Sequence, residues 1–457
     1  MVSKEREGDI QVVELNTQTA EKQALLEQLI TDMVQSKKKT WTPGQDWVQY
    51  AGSYLDENEY IAVVRCLLEG WFALGENGIR FENKFPARLG KEHGCLTNSG
   101  SSANLLMVSA LGSRKLHALP KGSKIITPVA GFPTTINPII QNGYTPVFID
   151  IEMGTLNLDI GQLEAAAKNG ASALIFAHVL SNPPNMDAVM DIVKRYNLIL
   201  LEDCCDALGS TYKGKPLGSF GEMASCSFYP AHHITLGEGG FVATHTKEQE
   251  MVVKSLREWG RGCYCSGKAA ACLKNGMCKK RFSNWLPALP DEVFDHKYVY
   301  EEIGYNLKPL DLQAAMGLVQ LDKLDTIIQK RKHNYNRLYS VFAKYADKFM
   351  LPHATESADP AWFAFPVTVK DTAGFKRTEL TMFLEEHKIQ TRNYFGGNIL
   401  LQPGYAHLSD GDPVKQYPNA TKATTHTFFL GTSPVVRDEH IDYIETVLTK
   451  FFESRNA

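Results

Sequence analysis

The chain has 457 residues, too many for one ordinary domain at roughly 150 residues each. Its apolar fraction of 44% and charged fraction of 22% are those of a globular protein that buries large cores without disulfide staples. Forty-eight basic against 51 acidic residues give a net charge of −3, which excludes a bulk electrostatic case for nucleic acid or an anionic membrane surface.

In chain order, MVSKEREGDIQVVEL is charged and lacks the apolar run of a signal peptide. TAEKQALLEQLITDMVQSKKK then shows helical spacing and ends in a Lys run, either a solvated helix end or a contact for an acidic partner. Residues 1–55 are therefore expected to form an N-terminal helical extension. From about 60 to 250, β-branched runs (KIITPV, TPVFIDI, SALIFAHV, NLILLED, GGFVATH) alternate with helical patterns (SSANLLMVSALGS, IGQLEAAAKN, MDAVMDIVKRYN). That order predicts a largely parallel sheet covered by helices, a large α/β domain over 56–325. Residues 262–282 interrupt it as a Cys-rich loop without periodicity. A long helix is expected at about 308–345, leading into a small α+β domain over 326–457, with strand WFAFPVTV and helices RTELTMFLEEH and EHIDYIETVLTKFF. Every apolar run is strand-sized, so no transmembrane span is expected, and the expected compartment is the cytoplasm. Nine cysteines there point to metal, redox or core roles before disulfides.

Three stretches carry chemistry. Thr97-Asn98-Ser99-Gly100-Ser101-Ser102 lies between a strand and a helix, where backbone N–H groups can hold a phosphate or the serines simply cap the helix. Glu202-Asp203 ends a strand, at the edge where open α/β sheets bind ligands. A buried carboxylate there needs a cationic partner, or caps a helix. Ser227-Phe-Tyr-Pro-Ala-His232-His233-Ile-Thr235 precedes Gly237-Glu-Gly-Gly240. Beyond these, Cys205, Cys263, Cys265, Cys272 and Cys278 suit an iron–sulfur centre or zinc, although zinc's usual Cys-x-x-Cys pairs are absent. Cys66, Cys95, Cys204 and Cys226 fit a core role.

Together these motifs resemble the sugar-aminotransferase branch of the fold-type I, aspartate aminotransferase-like, pyridoxal phosphate enzymes. The resemblance covers nearly the whole chain beyond the extension. It implies a large mixed-sheet α/β domain plus a small α+β C-terminal domain. It makes Gly100 and Ser101 the phosphate turn and Phe132, in Ala130-Gly-Phe-Pro-Thr-Thr135, the ring stacked on the pyridine. Asp203 becomes the partner of the pyridine nitrogen, Ser227 a further cofactor contact, and Asn306, in Gly304-Tyr-Asn, a residue reaching a partner subunit's phosphate. The branch carries a Lys that binds the cofactor covalently, and this chain has His232 in that place. The resemblance thus implies non-covalent pyridoxamine or pyridoxal 5'-phosphate, with His232 as the proton-transfer residue and His233 as a neighbouring candidate.

The Lys-to-His exchange joined to cysteines resembles the CDP-6-deoxy-4-keto-hexose 3-dehydrase family. Its members space four [2Fe-2S] ligands as Cys, 57 residues, Cys, one residue, Cys, seven residues, Cys. Cys205, Cys263 and Cys265 match, whereas Cys272 follows after six residues and Cys278 after twelve. Cys278 is favoured as the fourth ligand, because Lys279-Lys280-Arg281-Phe282 resembles the family's following segment; Cys272 stays open. His178-Val-Leu-Ser-Asn-Pro-Pro184 departs from the family text, which leaves substrate detail open. The resemblance implies removal of the C3 hydroxyl from a nucleotide-linked 4-keto-6-deoxyhexose in 3,6-dideoxysugar biosynthesis. Electrons would come from an iron–sulfur flavoprotein reductase or ferredoxin, and the chain would form a homodimer. Arg392 is either a contact for the nucleotide sugar or a surface residue. The alternatives are a cluster-free dehydrase and a non-catalytic metal-binding protein on the same fold.

Overall fold

The computed structural model describes residues 3–37, 40–263 and 281–456. Seven strands form the central sheet: β1 (His93–Thr97), β2 (Lys124–Pro128), β3 (Thr145–Ile149), β4 (Ala173–Ala177), β5 (Ile199–Asp203), β6 (Met223–Ser227) and β7 (Gly240–Thr244). Their spatial order is β1-β7-β6-β5-β4-β2-β3. The run from β6 to β3 is parallel, and β7 pairs antiparallel with both β6 and β1.

Strand alternation explains why these short runs are apolar throughout. In β4, Leu174 and Phe176 enter one core while Ala173 and Ile175 enter the core on the opposite face. Ile126 and Ile125 of β2, and Leu200 and Leu201 of β5, divide in the same way. A sheet buried on both faces favours apolar residues at successive positions, and the polar Asp203 and Ser227 fall at strand ends. Connecting helices cover the faces: α4 (Gly100–Ala110), α5 (Pro133–Gln141), α6 (Ile160–Lys168), α7 (Met186–Arg195) and α8 (Lys247–Arg257). Before them come α1 (Ser3–Ser36), α2 (Glu57–Leu68) and α3 (Glu76–Lys84).

Helix α9 (Asp311–Ala343), 33 residues long, joins the two cores. Leu318, Leu321, Leu324, Ile327 and Ile328 pack in the large-sheet core, and Tyr335, Leu338, Val341 and Phe342 in the C-terminal one. That second core lies on a four-stranded antiparallel sheet of β8 (Phe349–Met350), β9 (Ala364–Val369), β10 (Arg392–Asn393) and β11 (Thr427–Gly431), in the order β8-β9-β11-β10. A third apolar cluster, including Val129, Val179, Ala231, Phe363, Tyr394 and Phe429, fills the seam between the halves and forms the base of the cleft described next. No helix among the described residues is long and apolar enough to cross a membrane.

Candidate active site

A cleft of about 500 Å³ opens where the C-terminal ends of β4, β5 and β6 meet the small domain. This is the edge at which open α/β sheets hold ligands. Gly100, Ser101, Phe132, Asp203, Cys205, Ser227 and His232 all line it. Gly100 starts α4, whose N-cap Ser99 accepts from the Ser102 N–H at 3.1 Å. A Cβ on Gly100 would come within 2.5 Å of Ser227 Cβ and 2.9 Å of Cys205 Sγ. Only glycine lets the helix start, Ser227 and Cys205 converge so closely. Phe132 caps α5 and is 53% exposed, its ring meeting that of Phe395 edge-on at 6.2 Å on the cleft wall.

Strand alternation sends the two acids that end β5 to opposite faces. Asp203 faces the cleft. Its Oδ2 accepts from Asn104 Nδ2 and Thr135 Oγ1, each at 2.7 Å, and its Oδ1 from the Cys205 N–H at 3.1 Å and Ser225 Oγ at 3.3 Å. So many donors fix the carboxylate in one orientation. Glu202 faces inward and anchors the 218–221 segment that leads into β6, accepting from His178 Nε2 at 2.9 Å and from the N–H groups of Gly218, Phe220 and Gly221. Burial opposes its charge, but His178, the Gly221 N–H and the Lys91 ammonium bring its pKa below the ordinary carboxylate value.

His232 sits in the turn after β6, on the cleft wall. Its Nδ1 lies 3.4 Å from Asp206 Oδ1, close enough for the carboxylate to face it but without a hydrogen bond, and its ring is 5.2 Å from that of Phe363. His233 is only 3% exposed and is not among the residues lining the cleft. Burial first, then the charges of Arg331 and His232, drive its pKa well below the usual imidazole value and hold it neutral. Of the two histidines, only His232 can meet a ligand in the cleft. No lysine lines it among the described residues.

The other expected residues are placed differently. Asn306 bridges to Glu258 and accepts from Lys308 Nζ at 3.0 Å, away from this chain's own cleft. Cys205 lines the cleft, where burial and then the Asp203 charge push its thiol pKa well above the usual value. Cys263 is partly buried. Cys265, Cys272 and Cys278 lie outside the described residues. Cys66, Cys95, Cys204 and Cys226 are buried. Arg392 lines the cleft, with its guanidinium 4.1 Å from the centre of the Tyr50 ring. Asp206, Tyr50, Phe363, Phe395 and Phe429 also line the cleft, and no sequence motif marked them as site residues. For Asp206, its place three residues after Asp203 was the available signal.

A largely parallel sheet with a strand-end aspartate, a helix-start glycine turn and a small α+β unit on a long helix defines the fold-type I pyridoxal phosphate transferase class. The chain belongs to the DegT/DnrJ/EryC1/StrS aminotransferase family, whose model matches residues 53–449. It is 43% identical over 416 residues to lipopolysaccharide biosynthesis protein RfbH of Salmonella typhimurium, covering 91% of this chain and 94% of that one. It is 41% identical over 419 residues to the dTDP-4-dehydro-2,6-dideoxy-D-glucose 3-dehydratase of Saccharopolyspora spinosa, covering 91% and 89%. Among solved structures, the E. coli GDP-4-keto-6-deoxy-D-mannose-3-dehydratase with bound hydrated PLP superposes with a TM-score of 0.77. That match is at 30% identity and covers 88% of this chain and 99% of the other.

Proposed function

We propose that the chain is a pyridoxamine phosphate-dependent 3-dehydratase of a nucleotide-linked 4-keto-6-deoxyhexose, serving dideoxysugar biosynthesis. The observation that carries this reading is His232, facing Asp206, in a cleft that holds the fixed Asp203 carboxylate and no lysine among its described residues. The residues present fit the cofactor. The Gly100 cradle, which a Cβ would fill, and the Ser101 and Ser227 hydroxyls suit its phosphate. Asp203 suits a protonated ring nitrogen, and Phe132 the ring face. When bound, the cofactor supplies an amine for the sugar's 4-keto carbon and a ring that accepts electron density. Asp203 holds the proton on the ring nitrogen. With the cofactor bound, His232, its Nδ1 facing Asp206, would be the residue able to accept a proton at Nε2 from the cofactor's benzylic carbon. Asp206 stabilises the imidazolium that results. The apolar wall of Phe363, Phe395 and Phe429 excludes water from the reacting face.

We further propose a [2Fe-2S] centre held by Cys205, Cys263, Cys265 and Cys278, with Cys272 as the alternative fourth ligand. What supports Cys205 in that set is its place on the cleft wall, beside Gly100 and Ser227, where the four other cysteines of the described core, Cys66, Cys95, Cys204 and Cys226, do not reach. Such a centre passes electrons one at a time, so a partner iron–sulfur flavoprotein reductase or ferredoxin and a homodimeric chain belong to the same reading. A cluster-free dehydratase, which would need His232 but not the cysteine set, is the second reading.

The test is anaerobic purification with iron and acid-labile sulfide counted, followed by incubation with CDP-, dTDP- and GDP-linked 4-keto-6-deoxyhexoses and product mass analysis. About two irons per chain and a 3-deoxy product dependent on reductant support the main reading. Turnover without iron moves the function to the cluster-free reading. Transamination of the sugar in place of dehydration overturns both.

A further inference from the structure

Arg331 lies mid-way along α9 and is 1% exposed. A guanidinium this deep needs hydrogen-bond partners, and here Nη1 and Nη2 have them while the buried Nε has none. Arg257, equally deep, sits on the Glu82 carboxylate at 2.7 Å. Arg331 has no carboxylate within ion-pair distance among the described residues; its partners are main-chain carbonyls. Nη1 donates to Phe363 O at 2.9 Å, and Nη2 to His232 O at 2.8 Å and Ala231 O at 3.1 Å. Burial lowers its pKa to about 9, with the Asp206 charge pulling the other way.

Those three carbonyls belong to two segments far apart in sequence. Ala231 and His232 form the turn that follows β6 of the large sheet, and Phe363 immediately precedes β9 of the small one. The Phe363 ring lies beside the His232 imidazole. One buried cation therefore fixes the backbone beneath the imidazole and the residue that walls it. Ser181 makes the complementary tie: its hydroxyl donates to Asp206 O and accepts from the Phe363 N–H at 2.9 Å. Leu180 and Ser181 both have positive φ, 50° and 82°, strain that a surrounding framework has to hold in place.

We propose that Arg331 is a positioning residue for proton transfer at His232, tying the base's turn to the small-domain segment that carries Phe363. This rests on His232 being the base of the reaction proposed above. A base displaced by about 1 Å loses rate without losing substrate affinity, on the order of 10²-fold. The experiment compares Arg331→Met and Arg331→Lys with the wild-type chain in three readouts. These are kcat and KM with the nucleotide-linked keto sugar, the thermal midpoint, and backbone amide exchange over 229–235 in the cofactor-free protein. The Met variant is expected to lower kcat about 10²-fold with KM within about two-fold, and to speed exchange over 229–235 while β5 and α4 stay protected. The Lys variant, which keeps a cation able to reach one or two carbonyls, recovers at least part of kcat. Unchanged kcat in the Met variant overturns the proposal. So does a loss that follows a lowered midpoint equally in both variants. If the wild type turns over no keto sugar, the reaction reading fails on its own, and the exchange measurement still decides the tie: uniform protection over 229–235 in the Met variant overturns it.

Discussion

Asp206 meets His232 Nδ1 at 3.4 Å, and the pair shows how much of a site can hide behind one visible residue. His232 was legible because it interrupts a motif at the place of a lysine. Asp206 has no motif of its own. Only the turn that follows β5 brings it back over the cleft, and that turn is held by the Cys204 N–H donating to Ser225 O, by Asp203 Oδ1 accepting the Cys205 N–H, and by Ser181 holding the Asp206 carbonyl. Arg331 was hidden differently. It stands in the basic run QKRKH, which looks like a solvated face. Its phase tells otherwise, since Leu324, Ile327, Ile328, Arg331, Tyr335 and Leu338 follow at helical spacing on the buried stripe of α9. The role of Asp206 is open to a direct prediction. Asp206→Asn keeps the shape and removes the charge that stabilises a protonated His232. The expected result is a fall in kcat of about 10- to 100-fold with cofactor affinity unchanged, because Asp203, Gly100 and Ser101 are untouched. Cofactor binding by fluorescence titration beside steady-state turnover checks both halves. An equal loss of cofactor affinity would place Asp206 in the binding machinery instead.

Helices and strands differ in how plainly they announced themselves. The strands β2, β4 and β5 are apolar on both faces, so their composition alone marks them. Helix α8 begins Lys-Glu-Gln-Glu and gave no such signal, and α5 contains Pro138 within its span. Both form because tertiary contacts support them. Helix α8 is held by a buried ion network in which Glu82 of α3 meets Lys254 at 2.9 Å and Arg257 at 2.7 Å, while Glu250 meets Lys254 at 2.8 Å. Glu82 also accepts from the Leu96 N–H, and Arg257 donates to Leu96 O, so the network clamps β1 between two helices. Burial opposes the charge on Glu82, but Lys254 and Arg257 bring its pKa below the ordinary value. A carboxylate lowered in the folded state adds stability above its unfolded pKa of about 4.5, and that share is lost as the pH falls through the folded value. Glu82→Gln leaves Lys254 with Glu250 alone and Arg257 short of its main partner. We expect a loss of about 3–5 kcal/mol at pH 7 by chemical denaturation. We expect the gap to the wild type to narrow as the pH falls through the lowered folded-state value, where the wild-type carboxylate also takes up its proton. A gap that stays constant with pH would show that the Glu82 charge plays no part.

At the scale of the whole molecule, the site belongs to neither half. The large sheet supplies Gly100, Asp203, Ser227 and His232, and the segments beyond α9 supply Phe363, Arg392, Asn393, Phe395 and Phe429, with Tyr50 from the chain before the sheet. The sequence indicated the first set, since those residues fall at strand ends and helix starts where local rules apply. It indicated little of the second, since which loop of the small domain faces the cleft depends on how α9 sets one core against the other. This division has a thermodynamic consequence. A cofactor bound without a lysine tether, in a seam that both halves close, stabilises the folded chain only by mass action. The stabilisation should grow with the logarithm of free pyridoxamine phosphate, reaching about 2.7 kcal/mol at a hundred times its dissociation constant. Dialysis should remove it completely. Installing the missing lysine by His232→Lys offers a covalent attachment to pyridoxal phosphate, so in that variant the cofactor and its thermal stabilisation should survive dialysis while dehydration is lost. Scanning calorimetry before and after exhaustive dialysis, on both proteins, makes the comparison. A wild-type chain that keeps its cofactor and its elevated midpoint through dialysis would mean that another group in the seam holds the cofactor, and His232 would no longer explain the absence of a tether.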